Sequence, residues 1–456
     1  MYRENSWKKY SQKQEQEVFK FAEGYKEFLS QAKTERLAVK EAVARLKKAG
    51  FKCAYEFKNV KPGDKLYFAN KNKNVCAFVV GKKPLREGLR ILGAHIDSPR
   101  MDLKEHPLYE KNEFALADTH YYGGIKKYQY VTIPLALHGV VCKKDGSVVE
   151  VHVGEEEADP VVGITDLLIH LSADQLQKPA AKAIEGENLD VIVGNRPLKG
   201  DEKDAVKANV LVILKEKYGI EEEDFVSAEI EVVPAGKARD FGLDRSMVAC
   251  YGQDDRSCAY PSLMALLDVK EVEYTACCIL VDKEEIGSVG ATGAQSRFFE
   301  NAVSKLLELS GDKDPLWSAR LAFENSKMLS SDVSAGLDPL YASASDAKNA
   351  AMLGYGLVFN KYTGARGKSG SNDANPEYYA WLRKVMDEAN VNWHNAEMGK
   401  VDQGGGGTIA YILGNYNMNV IDAGLPLLNM HSPMEIISKA DLFEAYKGYI
   451  AFLGAK

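Results

Sequence analysis

Residues 274–288, Tyr-Thr-Ala-Cys-Cys-Ile-Leu-Val-Asp-Lys-Glu-Glu-Ile-Gly-Ser, constrain this chain more than any other stretch. Tyr274 to Val281 is an unbroken apolar, β-prone run of strand length, the pattern of a buried strand. Its end turns acidic at once, with Asp282 followed by the adjacent pair Glu284 and Glu285, and Gly287 can tighten the turn that follows. In open α/β sheets, ligand-binding groups collect at the carboxyl ends of strands. On extended backbone two adjacent side chains point opposite ways, so one glutamate can bind a metal while its neighbour handles a proton. Taken alone, the stretch reads as readily as a solvated acidic turn.

Four more apolar segments end the same way. Leu89 to Ala94 delivers His95 and Asp97, which a two-residue spacing on extended chain puts on one face. Neutral imidazole is a common zinc ligand, although a lone His-x-Asp describes a hydrogen-bonded structural histidine equally well. Met247 to Tyr251 leads into Asp254-Asp255, which can bridge two cations or cap the helix expected from Ser257 to Leu267. Met328-Leu329 approaches Asp332, and Val420 to Leu428 approaches His431. A parallel-type sheet would bring all five ends to one rim. Two histidines, several carboxylates and no thiolate suit a pair of zinc, manganese or cobalt ions.

Between these segments the chain changes character. Residues 14–50 read as two packing helices, with Thr34 as an N-cap and Gly50 as a stop. Residues 66–81 read as a hairpin. From about 104 to 244 the metal-type clusters are missing. Antiparallel strands are expected at Tyr130 to Val141, Val148 to Val153 and Ala228 to Val233, and helices at Asp166 to Leu176 and Ala205 to Tyr218, around a loop from Glu185 to Asp204. This block reads as a domain, 104–244, inserted between the halves 1–103 and 245–456 of a catalytic domain. His170 falls mid-helix in it and reads, from spacing alone, as a core or interface histidine. Further on, the basic loop Lys361 to Ser371 fits no nucleotide P-loop, and the Gly404 to Gly407 run offers close backbone approach at Gly405.

A length of 456 residues allows two or three domains, and 45% hydrophobic with 27% charged residues is ordinary globular composition. A net charge of −7 gives no reason to expect nucleic acid or an anionic membrane. The seven cysteines form no Cys-x-x-Cys pair, so neither a disulfide framework nor a thiolate zinc site is indicated. No signal-peptide core or membrane span is visible, and the expectation is a reduced, cytoplasmic protein.

The motifs Gly-Ala-His-Ile-Asp-Ser-Pro-Arg (93–100), Thr-His-Tyr-Tyr-Gly-Gly (119–124), Gly-Gln-Asp-Asp-Arg (252–256), Asp-Lys-Glu-Glu-Ile-Gly-Ser (282–288), Ser-Ser-Asp (330–332) and Met-His-Ser (430–432) occur in this order. Together they resemble the aspartyl aminopeptidase family of di-zinc exopeptidases, along nearly the whole chain. The resemblance implies an α/β fold, with a central mixed sheet flanked by helices and an inserted β-rich dimerisation domain. It implies an aminopeptidase acting on peptides and a self-associating, dodecameric enzyme. It assigns His95, Asp254 and Asp332 to one metal, with Asp254 bridging to a second completed by Glu285 and His431. Glu284 becomes the general acid/base and Asp97 the group that orients the site. Whether Asp254 or Asp255 bridges stays open. The resemblance also implies that His170 enters a neighbouring subunit's site to bind substrate. Lys361 and Gly405 are the other substrate-binding candidates, the basic loop being able to balance an acidic first residue. The competing readings are a related di-zinc carboxypeptidase or deacylase, which would recognise a carboxylate and not a free amine, and a non-catalytic peptide-binding assembly protein.

Overall fold

The computed structural model describes residues 3–200 and 203–456, so residues 201 and 202 of the loop expected at 185–204 lie outside the described residues. The chain divides into two compact units. The larger comprises the residues up to Asp97, Ala238–Met430 and Glu435–Lys456, and the smaller comprises Ser98–Lys237 with His431–Met434.

The larger unit is built on a nine-stranded mixed sheet. Its order is Lys52–Cys53, Lys65–Asn70, Asn74–Val79, Thr275–Val281, Leu89–His95, Lys327–Ser330, Asn419–Gly424, Leu357–Asn360 and Trp393–Asn395. The four strands 275–281, 89–95, 327–330 and 419–424 run parallel at its centre, and their neighbours 74–79 and 357–360 run antiparallel. Every residue of strands 89–95 and 275–281 is buried, which is why both read as largely apolar runs rather than alternating ones, Arg90 being the charged exception. One face packs on helices Gln12–Gln31, Gln253–Asp268 and Lys439–Gly454 through Tyr25, Leu263 and Tyr449. The other packs on Phe298–Leu309 and Pro315–Glu324 through Val303 and Phe323. A second sheet of five short strands, Arg239–Phe241, Met247–Cys250, Glu435–Ser438, Pro426–Leu428 and Ser334–Ala335, belongs to the same unit. The strand before Asp254 therefore lies in this sheet, and so does Pro426–Leu428, the strand before His431, so the expected convergence on one sheet rim holds for His95, Glu284/Glu285 and Asp332 but not for the aspartate pair or His431.

The smaller unit is a six-stranded antiparallel sheet in the order Val148–Val153, Leu135–Cys142, Ala228–Pro234, Arg100–Lys111, Phe114–Tyr122 and Val191–Gly194. Helix Ala205–Tyr218 buries Val206 and Val210 in its core. The helix expected over 166–176 is not formed as one element. A 3-10 turn, Ile169–Leu171, precedes a single helical turn, Ala173–Leu176, and His170 is exposed instead of sitting mid-helix in a core. The periodic leucines that suggested the helix stay in solvent: Leu167, Leu168, Ile169, Leu171 and Leu176 are all more than half exposed. Among the described residues no helix is long and apolar enough to cross a membrane.

Candidate metal centre

Three side chains of the larger unit, His95, Asp254 and Asp332, place one ligand atom each within 4.8 Å of one another. His95 ends the 89–95 strand, and Asp332 follows the neighbouring parallel strand 327–330. The Ser331 amide donates to the Gly93 carbonyl at 2.6 Å and fixes the turn that carries Asp332. Asp254 is held from below by Glu435, whose Oε2 accepts from the amides of Gln253 at 2.6 Å and Asp254 at 3.1 Å. The peptide joining Asp254 to Asp255 is cis.

The imidazole of His95 is fully engaged. Its Nε2 lies 3.1 Å from Asp254 Oδ1, and its Nδ1 lies 3.1 Å from the Asp97 carbonyl and 3.3 Å from Asp97 Oδ1. Burial opposes charge on this ring, but the hydrogen bonds and charges of Asp254 and Asp97 outweigh it and raise its pKa well above the ordinary value. Asp255 accepts from the His95 amide at 3.3 Å, and burial, with Asp254 beside it, pushes its carboxyl well up. Asp332 is pushed up in the same way, by burial first and then by Asp255, Glu284 and Asp254. Several carboxylates thus crowd one largely buried volume, an arrangement that a bound cation relieves.

Glu284 and Glu285 correct the extended-chain expectation. They lie in a 3-10 turn, Glu284–Ile286, entered through Lys283 at φ 70° and left through Gly287 at φ 96°. Their amides both donate to Asp97, Glu284 to Oδ1 and Glu285 to Oδ2, each at 3.2 Å. It is this shared acceptor, and not strand alternation, that sets where the two side chains go. Glu284 Oε2 comes to 4.0 Å from His95 Nε2, while an oxygen of Glu285 lies within 4.8 Å of one of Asp254.

His431 belongs to the smaller unit. Its Nδ1 is 2.8 Å from the Gly124 carbonyl, which makes Nδ1 the donor and leaves the lone pair on Nε2, and its own carbonyl accepts from Tyr130 Oη at 3.0 Å. Lys361 pairs with Asp373, as does Lys368 at 3.0 Å. Gly405 has φ 107°, and a Cβ there would lie 2.5 Å from Ala365 Cα, so the approach it permits is to the basic loop itself.

Sequence reasoning passed over two carboxylates. Glu435, buried beneath Asp254, sits beside Ile436-Ile437 in a short strand. Asp422 lies within the buried strand 419–424, accepts from Thr408 Oγ1 at 2.6 Å, and is pushed up to about 7 by burial. A charged residue embedded in an apolar run was the available signal for both.

Comparison with known proteins gives the family and the fold. The profile of the peptidase M18 family, described as aminopeptidase I zinc metalloprotease, matches residues 28–453. A probable M18 family aminopeptidase 1 of Clostridium acetobutylicum is 58% identical over 454 residues, covering 98% of this chain and 97% of that one. The crystal structure of an M18 aminopeptidase from Thermotoga maritima superposes with a TM-score of 0.96 at 48% identity, covering 99% of both chains. That of aminopeptidase I from Clostridium acetobutylicum gives 0.92 at 54% identity, again over 99% of both.

Proposed function

The chain belongs to the peptidase M18 family of zinc aminopeptidases, and from that premise we propose how its residues carry out the hydrolysis. The donor set fits the metal. Imidazole and carboxylate without thiolate suits zinc in a site that keeps positions open for chemistry. In this reading His95, Asp254 and Asp332 would hold one ion, and Asp254, Glu285 and His431 would be the ligands of a second. Such ions would supply Lewis acidity toward the scissile carbonyl and a nucleophilic water near neutral pH. Glu284 takes the proton from the attacking water and returns it to the leaving amine. Asp97 positions both His95 and the turn that carries Glu284.

One observation carries the reading. A single buried carboxylate, Asp97, anchors the imidazole of His95 and the backbone of the paired glutamates together. That common anchor supports reading the imidazole and the two glutamates as parts of one site. The five exposed apolar side chains of the 167–176 segment support self-association of the smaller unit, and in the assembled particle exposed His170 would contribute to a neighbour's substrate site. Lys361, already sharing Asp373 with Lys368, would bind an acidic first residue only in competition with that carboxylate. Gly405 is kept as a backbone contact for substrate.

The test is Glu284→Gln. Turnover of an aminoacyl anilide is expected to fall by about two to four orders of magnitude with zinc content unchanged, whereas His95→Ala loses zinc as well. Retained turnover in Glu284→Gln, or cleavage of an N-acetylated peptide by the parent enzyme, would sink the mechanism.

A further inference from the structure

The smaller unit carries a second cluster of metal-ligating side chains. Strands 135–142 and 148–153 are antiparallel neighbours, and their register sets His138 directly opposite His152. Opposed residues on one face of such a pair have Cβ atoms about 4.5–5.5 Å apart, so the two rings meet. Their Nδ1 atoms are 3.2 Å apart. Each ring's other nitrogen is committed to a carboxylate, His138 Nε2 to Glu155 Oε1 at 2.9 Å and His152 Nε2 to Glu150 Oε2 at 3.3 Å. A carboxylate oxygen accepts, so both Nε2 atoms carry hydrogen. In the neutral rings both Nδ1 atoms are then lone-pair donors facing each other. Two lone pairs at that distance repel unless positive charge lies between them.

We propose that His138 and His152 bind a divalent transition-metal ion of the zinc class through their Nδ1 atoms, at a site separate from the catalytic centre. Two imidazole nitrogens about 2.0–2.1 Å from one tetrahedral ion stand roughly 3.3 Å apart, close to the spacing observed. A carboxylate on the second ring nitrogen is the arrangement that metal-binding histidines commonly show, because it fixes the tautomer and raises ligand basicity. The support extends outward. Glu155 Oε2 accepts from the Gly236 amide at 3.1 Å, and the His152 carbonyl accepts from Tyr218 Oη at 3.1 Å. His138 is buried, but the side chain of His152 is 42% exposed on the edge strand, which gives the ion an entry path and leaves water to complete its coordination. On its other side His138 faces Glu231 of the 228–234 strand, which is paired with Arg100 at 3.0 Å. Neither histidine was singled out by its sequence position, because the strand register alone brings them together.

The test uses the full-length protein, stripped with a chelator and titrated with zinc chloride. Calorimetry and elemental analysis would compare the parent with His152→Gln, an exposed edge substitution that spares the fold, and with the double variant His138→Gln/His152→Gln. The parent is expected to take up one more zinc per chain than either variant. Hydrolysis of an aminoacyl anilide should stay within about twofold in His152→Gln. His95→Ala, which empties the proposed catalytic position, should keep the extra ion, so failure of the catalytic reading and failure of this one are distinguishable. Equal zinc stoichiometry and affinity in the parent and His152→Gln would overturn the proposal.

Discussion

At the scale of single residues, Asp97 does more than any ligand to shape the centre. It is wholly buried and faces the His95 ring and two backbone amides at once. Asp97→Ala removes the acceptor for both amides and should release the 3-10 turn while leaving every proposed ligand in the chain. Loss of a group that orients metal-binding residues typically costs 10–100-fold in affinity or activity, and a drop of that size in kcat/KM, measured with saturating zinc, is expected. A second residue gives a pH signature remote from the chemistry. His394 is held neutral, its pKa lowered to about 4 by burial, and its Nε2 accepts from the Met352 amide at 2.9 Å. Unfolded histidine titrates near 6.5, so between roughly 6.5 and 4 the unfolded chain binds a proton that the folded chain refuses. Stability contributed by the neutral ring is therefore full above that window and falls as pH drops through it, by about 3 kcal/mol in all. Denaturant titrations from pH 7.5 to 4.5 should show this slope in the parent and lose it in His394→Gln.

At the scale of elements, the legibility of the sequence follows from burial. The run 274–281 showed its strand because both faces are covered, so no charged residue interrupts it. Helices with clear caps were equally plain: Thr34 accepts from the Leu37 amide as an N-cap should. The longest hairpin, Arg100–Lys111 with Phe114–Tyr122, was not foreseen. Its first strand runs Arg-Met-Asp-Leu-Lys-Glu-His, so charge hides the alternation, and a bulge between Leu103 and Leu108 breaks its period. The turn at Glu284 was unreadable for another reason. It depends on Lys283 adopting a left-handed conformation, which nothing in a lysine announces. The chemistry-bearing residue types could thus be listed from the sequence, but the backbone that aims Glu284 could not. One element-level contact is directly testable. A Cβ at Gly424 would sit 1.9 Å from the Asp332 carbonyl oxygen, a backbone atom that cannot swing aside. Gly424→Ala should displace the Asp332 turn, lowering zinc affinity at least about tenfold and stability by about 1–3 kcal/mol. Gly367→Ala, where nothing lies within 4 Å, is the matched control.

At the scale of the whole molecule, metal and fold are linked. Asp254 and Asp255 are buried and Asp332 lies half-buried close to them, so the metal-free protein keeps their mutual repulsion. An ion that binds only the folded state stabilises it by about 4 kcal/mol when free zinc is a thousandfold above its dissociation constant. Chelation should lower the calorimetric unfolding midpoint by several degrees, and added zinc should restore it. An unchanged midpoint would mean that the acidic cluster tolerates its own charge. The order of the nine-stranded sheet has another consequence, one for synthesis. Strand 275–281 slots between 74–79 and 89–95, so those two strands leave the ribosome roughly 180 residues before the partner that joins them. At translation rates of about 5–20 residues per second, that interval is on the order of ten to forty seconds. Through all of it the nascent chain exposes two apolar strand edges with no partner yet made, and that is the window in which a holding chaperone would have to act.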